Sequence, residues 1–206
     1  MGAKTWTLTY SNGNSREILE SNPELDRDAT NALVRTLFPT ETIELLEDGE
    51  LSSTYPEDNE ILVGCFPGLS IISATEFGID FPSKLHSKFL EKATGHTVHL
   101  HAMHSVADWF AFAVWKNGTI QRSLSISPEF GIMEDIGPRL LFEEPYWLGQ
   151  HPVFDPEDEG FDYPFVFHPL ELAEAALREF FGYQLEGSYD PNRLKPEQIP
   201  LIRYKR

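Results

Sequence analysis

Residues 108–126, "DWFAFAVWKNGTIQRSLSI", decide how the rest of the chain is read. Asn117–Gly118 lies between two runs of strand-forming residues. A two-residue type I′ turn needs positive φ at both central positions, which Asn and Gly accept at little cost. Such a turn sets the register of the hairpin it closes. Trp115 then faces Ile120, Ala113 faces Arg122, Ala111 faces Leu124 and Trp109 faces Ile126. Phe110, Phe112 and Val114 fall on the other side, against Ser125, Ser123 and Gln121. The first strand of the pair is apolar on both sides, the pattern of a central strand covered from both faces of its sheet.

Working outward from the hairpin, Val98, Leu100 and Ala102 alternate with His99, His101 and Met103, so a strand with an apolar face and a histidine face precedes it. Thr5–Tyr10 alternates in the same way. Ile61–Cys65 reads as a buried strand, Leu69–Ala74 as its hairpin partner or the next strand, and Thr42–Leu46 as a short strand. Helical spacing appears three times. Ala29, Leu33 and Leu37 precede a stop at Pro39, and Leu85, Phe89 and Ala93 precede Gly95. Pro169 opens a run in which Leu170, Ala173, Leu177 and Phe180 form a stripe ended by Gly182. Pro128–Tyr163 carries too much Pro, Gly and acid for regular structure and reads as a long surface excursion. The tail from Pro191 reads as an arm or an extended strand. With no internal repeat and no linker, the expectation is one α+β domain over residues 1–206. Its sheet is mainly antiparallel, with helices near 27–38, 83–93 and 170–181.

Thirty-three acidic residues stand against sixteen basic ones, a formal charge of −17 over 206 residues. That balance argues against binding nucleic acid or anionic membranes. No apolar run approaches the roughly 20 residues of a membrane span, and the N-terminus has no basic region followed by an apolar one. With Cys65 as the one cysteine, an intrachain disulfide and a thiolate-rich zinc site are both excluded, and a reducing cytoplasm is expected. Cys65 itself reads as core. The acidity serves solubility, or it forms a surface that meets a basic protein partner. Its uneven spread favours considering the second: Glu41–Glu60 holds eight carboxylates and no Lys or Arg, and Glu129–Asp162 holds ten against only Arg139.

Three stretches carry candidate chemistry. In "HLHAMH", His99 and His101 leave one face of a strand about 6.5 Å apart, which suits two imidazoles on one zinc. His104 is the candidate third ligand, with Asp108 or Glu134 as base for metal-assisted hydrolysis. The spacing is similar to the H-x-H-x-D-H run of metallo-β-lactamase-type hydrolases, but Met103 occupies the aspartate position, so at most a single-zinc site is expected. The alternative is a set of partly buried histidines bonded to their neighbours. In "GIMEDIGPRLLFEEPYWLGQHPV", carboxylates flank Tyr146 and Trp147, a composition used for acid/base work on sugars and also for protein-binding surfaces. Glu143, Glu144, Tyr146 and Trp147 are the candidate partner-binding residues. "DPEDEGFD", Asp155–Asp162, resembles the start of a calcium loop but lacks the closing glutamate, Val166 standing there.

The chain also resembles a bacterial family of unknown function, common in actinobacteria. The segments that carry the resemblance are "MGAKT", "LDRDA" at 25–29, "GCFPG" at 64–68, "LHAMHSVADWFAFAVW" at 100–115, "RSLSISP", "GIMEDIG", "FEEPYW" and "FHPLELAEAALREFFGY" at 167–183. The resemblance implies a single cytoplasmic domain and brings no established activity. A looser pattern from Trp115 to Glu144 is similar to immunity-type proteins that neutralise bacterial toxins. The leading expectation is a non-enzymatic acidic binding protein; the alternative is a single-zinc hydrolase using His99, His101 and His104.

Overall fold

The computed structural model describes residues 2–153, 163–187, 190 and 193–206. Asp155–Asp162, the calcium-loop resemblance, lies outside the described residues. One antiparallel sheet of nine strands organises the chain, in the order β2-β9-β3-β4-β1-β5-β6-β7-β8. The strands are β1 (Lys4–Ser11), β2 (Glu44–Glu50), β3 (Glu60–Phe66), β4 (Leu69–Ser73), β5 (Thr97–His104), β6 (Trp109–Lys116), β7 (Thr119–Ser127), β8 (Gly131–Ile136) and β9 (Pro200–Lys205). Among the described residues there are five α-helices: α1 (Ser15–Glu20), α2 (Arg27–Leu37), α3 (Ser87–Leu90), α4 (Glu144–Trp147) and α5 (Pro169–Phe181). The expected α+β class holds, with more sheet and more helices than the sequence patterns showed. No described helix is long and apolar enough to cross a membrane.

Period-2 alternation puts a core on each side of the sheet. Phe110, Phe112, Val114, Leu124 and Ile126 face α5, whose Leu172, Ala173, Ala176, Leu177 and Phe181 are buried against them, with Leu19 of α1 and Tyr146 of α4 in the same layer. Leu8, Tyr10, Ile72, Leu100, Ala111 and Trp115 face the other way, towards Val34 and Leu37 of α2 and Phe89 of α3. β3 and β6 sit inside the sheet and are buried on both sides, as their unbroken apolar runs require. Each fully buried Leu or Phe contributes about 1.5–3 kcal/mol. α5 is well specified. The His168 ring accepts from the Leu170 N–H at its start, and Gly182, at φ +81°, closes it.

Three expectations are corrected. The Asn117–Gly118 turn forms with both φ values positive, and Trp115 pairs with Ile120 as read. A β-bulge then follows, with Gln121 as the extra residue, so that Arg122 pairs with Val114, Leu124 with Phe112 and Ile126 with Phe110. Every side chain beyond the bulge changes face. Arg122 therefore enters the α5-facing core, while Ser123 and Ser125 meet the small Ala113 and Ala111. Second, the expected helix over 83–93 is broken into a 3-10 turn at Pro82–Lys84 and the short α3, because Leu85 is extended (φ −47°, ψ 132°). Leu85, Phe89 and Ala93 are nonetheless all buried. Third, the excursion after Pro128 contains β8 and α4.

Candidate functional site

The histidine run does not converge. β5 continues straight through His104, so His104 projects on the opposite side of the sheet from His99 and His101. His101 is fully buried and its ring is saturated: Nε2 lies 3.0 Å from the Ala173 carbonyl and Nδ1 2.7 Å from the Thr5 hydroxyl. A carbonyl oxygen only accepts, so Nε2 carries the proton and Nδ1 accepts from Thr5. Burial brings the His101 pKa down to about 4. His99 packs against Phe180 at 4.6 Å between ring centres, and burial with Lys116 nearby lowers its pKa to about 4 as well. His104 packs with Trp6 and Tyr55. Asp108 lies 3.6 Å from His168, and Glu134 accepts from the Ser83 N–H and from the Ser83 and Ser123 hydroxyls. Among the described residues, no group of three His, Cys, Asp or Glu side chains is placed to hold a metal ion.

The acidic–aromatic quartet is also divided. Glu143 is completely buried and grips Arg122 with both oxygens, at 2.9 Å to Nε and 2.7 Å to one terminal nitrogen. It accepts as well from the Leu140 N–H at 2.8 Å. The remaining Arg122 nitrogen donates to Asp135 and to the carbonyls of Ser123 and Ile136. Burial alone would lower the Arg122 pKa; the hydrogen bonds to Glu143 and Asp135 outweigh it and raise it. Tyr146 is buried too, its hydroxyl donating to the Glu171 carbonyl and its ring stacked on His151 at 4.2 Å. Trp147 is half-buried under the Arg139 guanidinium, and of the four only Glu144 is exposed. The expectation of four surface residues is thus corrected. The register slip of β7 creates a buried cation, and this segment folds inward to neutralise it.

Beside α5 lies a cleft of about 550 Å³ rimmed by Tyr146, His151, His168, Glu171, Arg178 and Arg193. Its polar groups largely serve the fold. Arg178 reaches Tyr146 and Gln184 at 3.4 Å, and Glu174 accepts the backbone N–H groups of Leu185 and Glu186 at 2.9 and 3.0 Å. Burial raises the Glu174 pKa. Cys65 is buried, and the same effect pushes its thiol up, away from the reactive thiolate.

One part of the acidic surface lies at an edge of the sheet. β2 has a neighbour on one side only, β9, and shows Glu44, Leu45, Glu47 and Asp48 to solvent. Arg27 meets Asp48, Arg203 meets Glu60 and Glu47, and Arg206 meets Glu76 and Glu41. Glu44, Glu57 and Asp58 are exposed, and none has an ion-pair partner among the described residues. The composition of Glu41–Glu60 signalled this edge. What the sequence reading missed is a group of rings around Trp6 and Tyr55, because Tyr55 carries no periodic pattern and Trp6 read simply as part of a strand face.

No curated protein and no solved structure matches the chain. The profile of a family of unknown function, DUF6928, matches residues 5–204, almost the full length and in agreement with the segment-by-segment resemblance. The chain therefore belongs to the DUF6928 family.

Proposed function

We propose that this protein is a non-enzymatic binding protein whose acidic edge engages a basic protein partner. One observation carries the reading. At the β2 edge, arginines contributed by α2 and the C-terminal strand neutralise part of the charge, Arg203 also reaching the field of Glu57, yet Glu44 and Asp58 stay exposed with no ion-pair partner among the described residues, Glu44 on the open strand itself. Charges arranged in this way steer a partner of opposite sign and set its on-rate. An open strand also offers main-chain hydrogen bonds for register. Neutralising a basic toxin, as immunity-type proteins do, is the biological version of this reading suggested by the Trp115–Glu144 pattern.

The test is capture from a host lysate at physiological salt on immobilised protein, with a Glu44→Lys/Glu47→Lys variant beside the wild type. Retention of a specific basic protein by the wild type, lost with the variant, is the expected result. Equal retention by both, or none by the wild type, refutes the reading. Glu143 is unsuitable for such a reversal, since a lysine there would face Arg122 inside the core.

A further inference from the structure

In the cleft beside α5 an arginine stands without a counter-charge. Five arginines are at least partly buried: Arg122, Arg178, Arg193, Arg203 and Arg206. Four of them meet a carboxylate. Arg178 has no ion-pair partner among the described residues, although the chain carries thirty-three acidic residues against sixteen basic ones. Its terminal nitrogens reach only neutral oxygens, the Tyr146 hydroxyl and the Gln184 side-chain carbonyl, both at 3.4 Å. Good N–H···O bonds are shorter, about 2.7–3.2 Å. The Gln184 oxygen is also shared with Arg193.

The natural partner is held away. Glu174 stands one turn earlier on α5, at the i,i+4 spacing that ordinarily gives an ion pair. Its two oxygens are instead taken by the Leu185 and Glu186 N–H groups at 2.9 and 3.0 Å. Arg178 favours the Glu174 charge only through space, and burial outweighs it. The guanidinium opens onto the cleft of about 550 Å³, whose wall also carries Tyr146, His151 and Leu170. The exposed His151 ring lies stacked on Tyr146 at 4.2 Å, a flat surface one ring deep. His168 is committed elsewhere, with Nδ1 on the Leu170 N–H and Nε2 towards Asp108. The other charges at the rim are Glu171, Glu186, which accepts the Ala3 N–H, and Arg193, which is paired with Asp190.

We propose that this cleft binds a small, singly charged aromatic carboxylate, its oxygens accepting from the Arg178 guanidinium and its ring lying against the Tyr146–His151 wall. A guanidinium presents a planar fork of donors that matches a carboxylate, and rings with a few placed polar groups are the usual lining of a small-molecule pocket. Glu171, Glu174 and Glu186 repel a second negative charge, which selects a carboxylate over a phosphate dianion. The site is separate from the β2 edge and does not depend on the proposed protein partner. The test follows the ¹H–¹⁵N signals of the Arg178 Nε–H and the Glu171 backbone while the protein is titrated with benzoate, benzamide or phenyl phosphate. Benzoate is expected to shift both signals saturably, with uncharged benzamide about tenfold weaker and phenyl phosphate weaker than benzoate. Arg178→Gln, read on the Glu171 signal, is expected to weaken benzoate about tenfold. His151→Ala, at an exposed ring that leaves the core intact, is expected to weaken it about threefold and keeps the test open if Arg178→Gln does not fold. No saturable shift with benzoate, equal binding of benzamide, tighter binding of phenyl phosphate, or undiminished binding by either variant overturns the inference.

Discussion

Arg122 and Glu143 are both closed to solvent, and removing one member of such a pair leaves the other charge stranded at a cost of about 3–5 kcal/mol. Glu143→Leu should therefore lose about that much stability in urea denaturation. The double variant Arg122→Met/Glu143→Leu should recover most of it, because no buried charge is left. A double variant as unstable as the single one would show that the pair matters for reasons other than charge compensation. His101 makes a separate prediction. Its folded pKa, about 4, lies below the ordinary 6.5, so as pH falls the unfolded chain takes up the proton first. The stability this group provides is complete above about pH 6.5 and is lost between there and pH 4, on the order of 3 kcal/mol. Unfolding free energies measured over this range should fall less steeply for His101→Asn than for the wild type. An unchanged slope would mean that the imidazole is not held neutral by burial. His99 is shifted in the same direction and acts in the same window.

At the scale of the element, the β-bulge in β7 decides the architecture of this region. It turns Arg122 inward, and Gly137 is packed against its backbone: at φ +80°, a Cβ there would lie 2.1 Å from the Gln121 carbonyl oxygen. Gly149 has a similar φ, +71°, with nothing near its Cβ position. Gly149→Ala should then cost only the left-handed backbone penalty, about 1 kcal/mol. Gly137→Ala should add about 1–3 kcal/mol of overpacking. Equal losses in thermal or urea denaturation would contradict the close approach. The same bulge marks the limit of what the sequence disclosed. Asn117–Gly118 announced the hairpin, and periodicity announced β5, β6, α2 and α5, because these signals are local. The bulge is not local. Ser123 opposite Ala113 and Arg122 opposite Val114 are favoured only because Glu143, twenty-one residues later, is there to pair with the guanidinium. Likewise, "HLHAMH" was legible as a strand but not as three ligands. The outcome depended on whether the strand ended before His104, and it does not. β8 was hidden in a stretch whose carboxylates looked solvated, although Glu134 is tied to Ser83 and Ser123.

For the molecule as a whole, the central question is where a charge of −17 goes. Composition disclosed the acidic segment from Glu41 to Glu60, and the fold places Glu44–Glu50 of that segment as one edge of the sheet. Of the second acidic stretch, Glu134 and Glu143 are turned inward, while Glu129, Asp135 and Glu144 are exposed. The β2 edge is a surface where exposed carboxylates and an open strand coincide. The most direct measurement is calorimetric titration of the captured basic partner into wild-type protein and into Glu44→Lys/Glu47→Lys. The expected result is tight binding by the wild type, weakened by salt, and a loss of roughly thirty- to hundredfold in the variant, or about 2–3 kcal/mol. An unchanged Kd in the variant would place the partner elsewhere on the molecule and contradict the account.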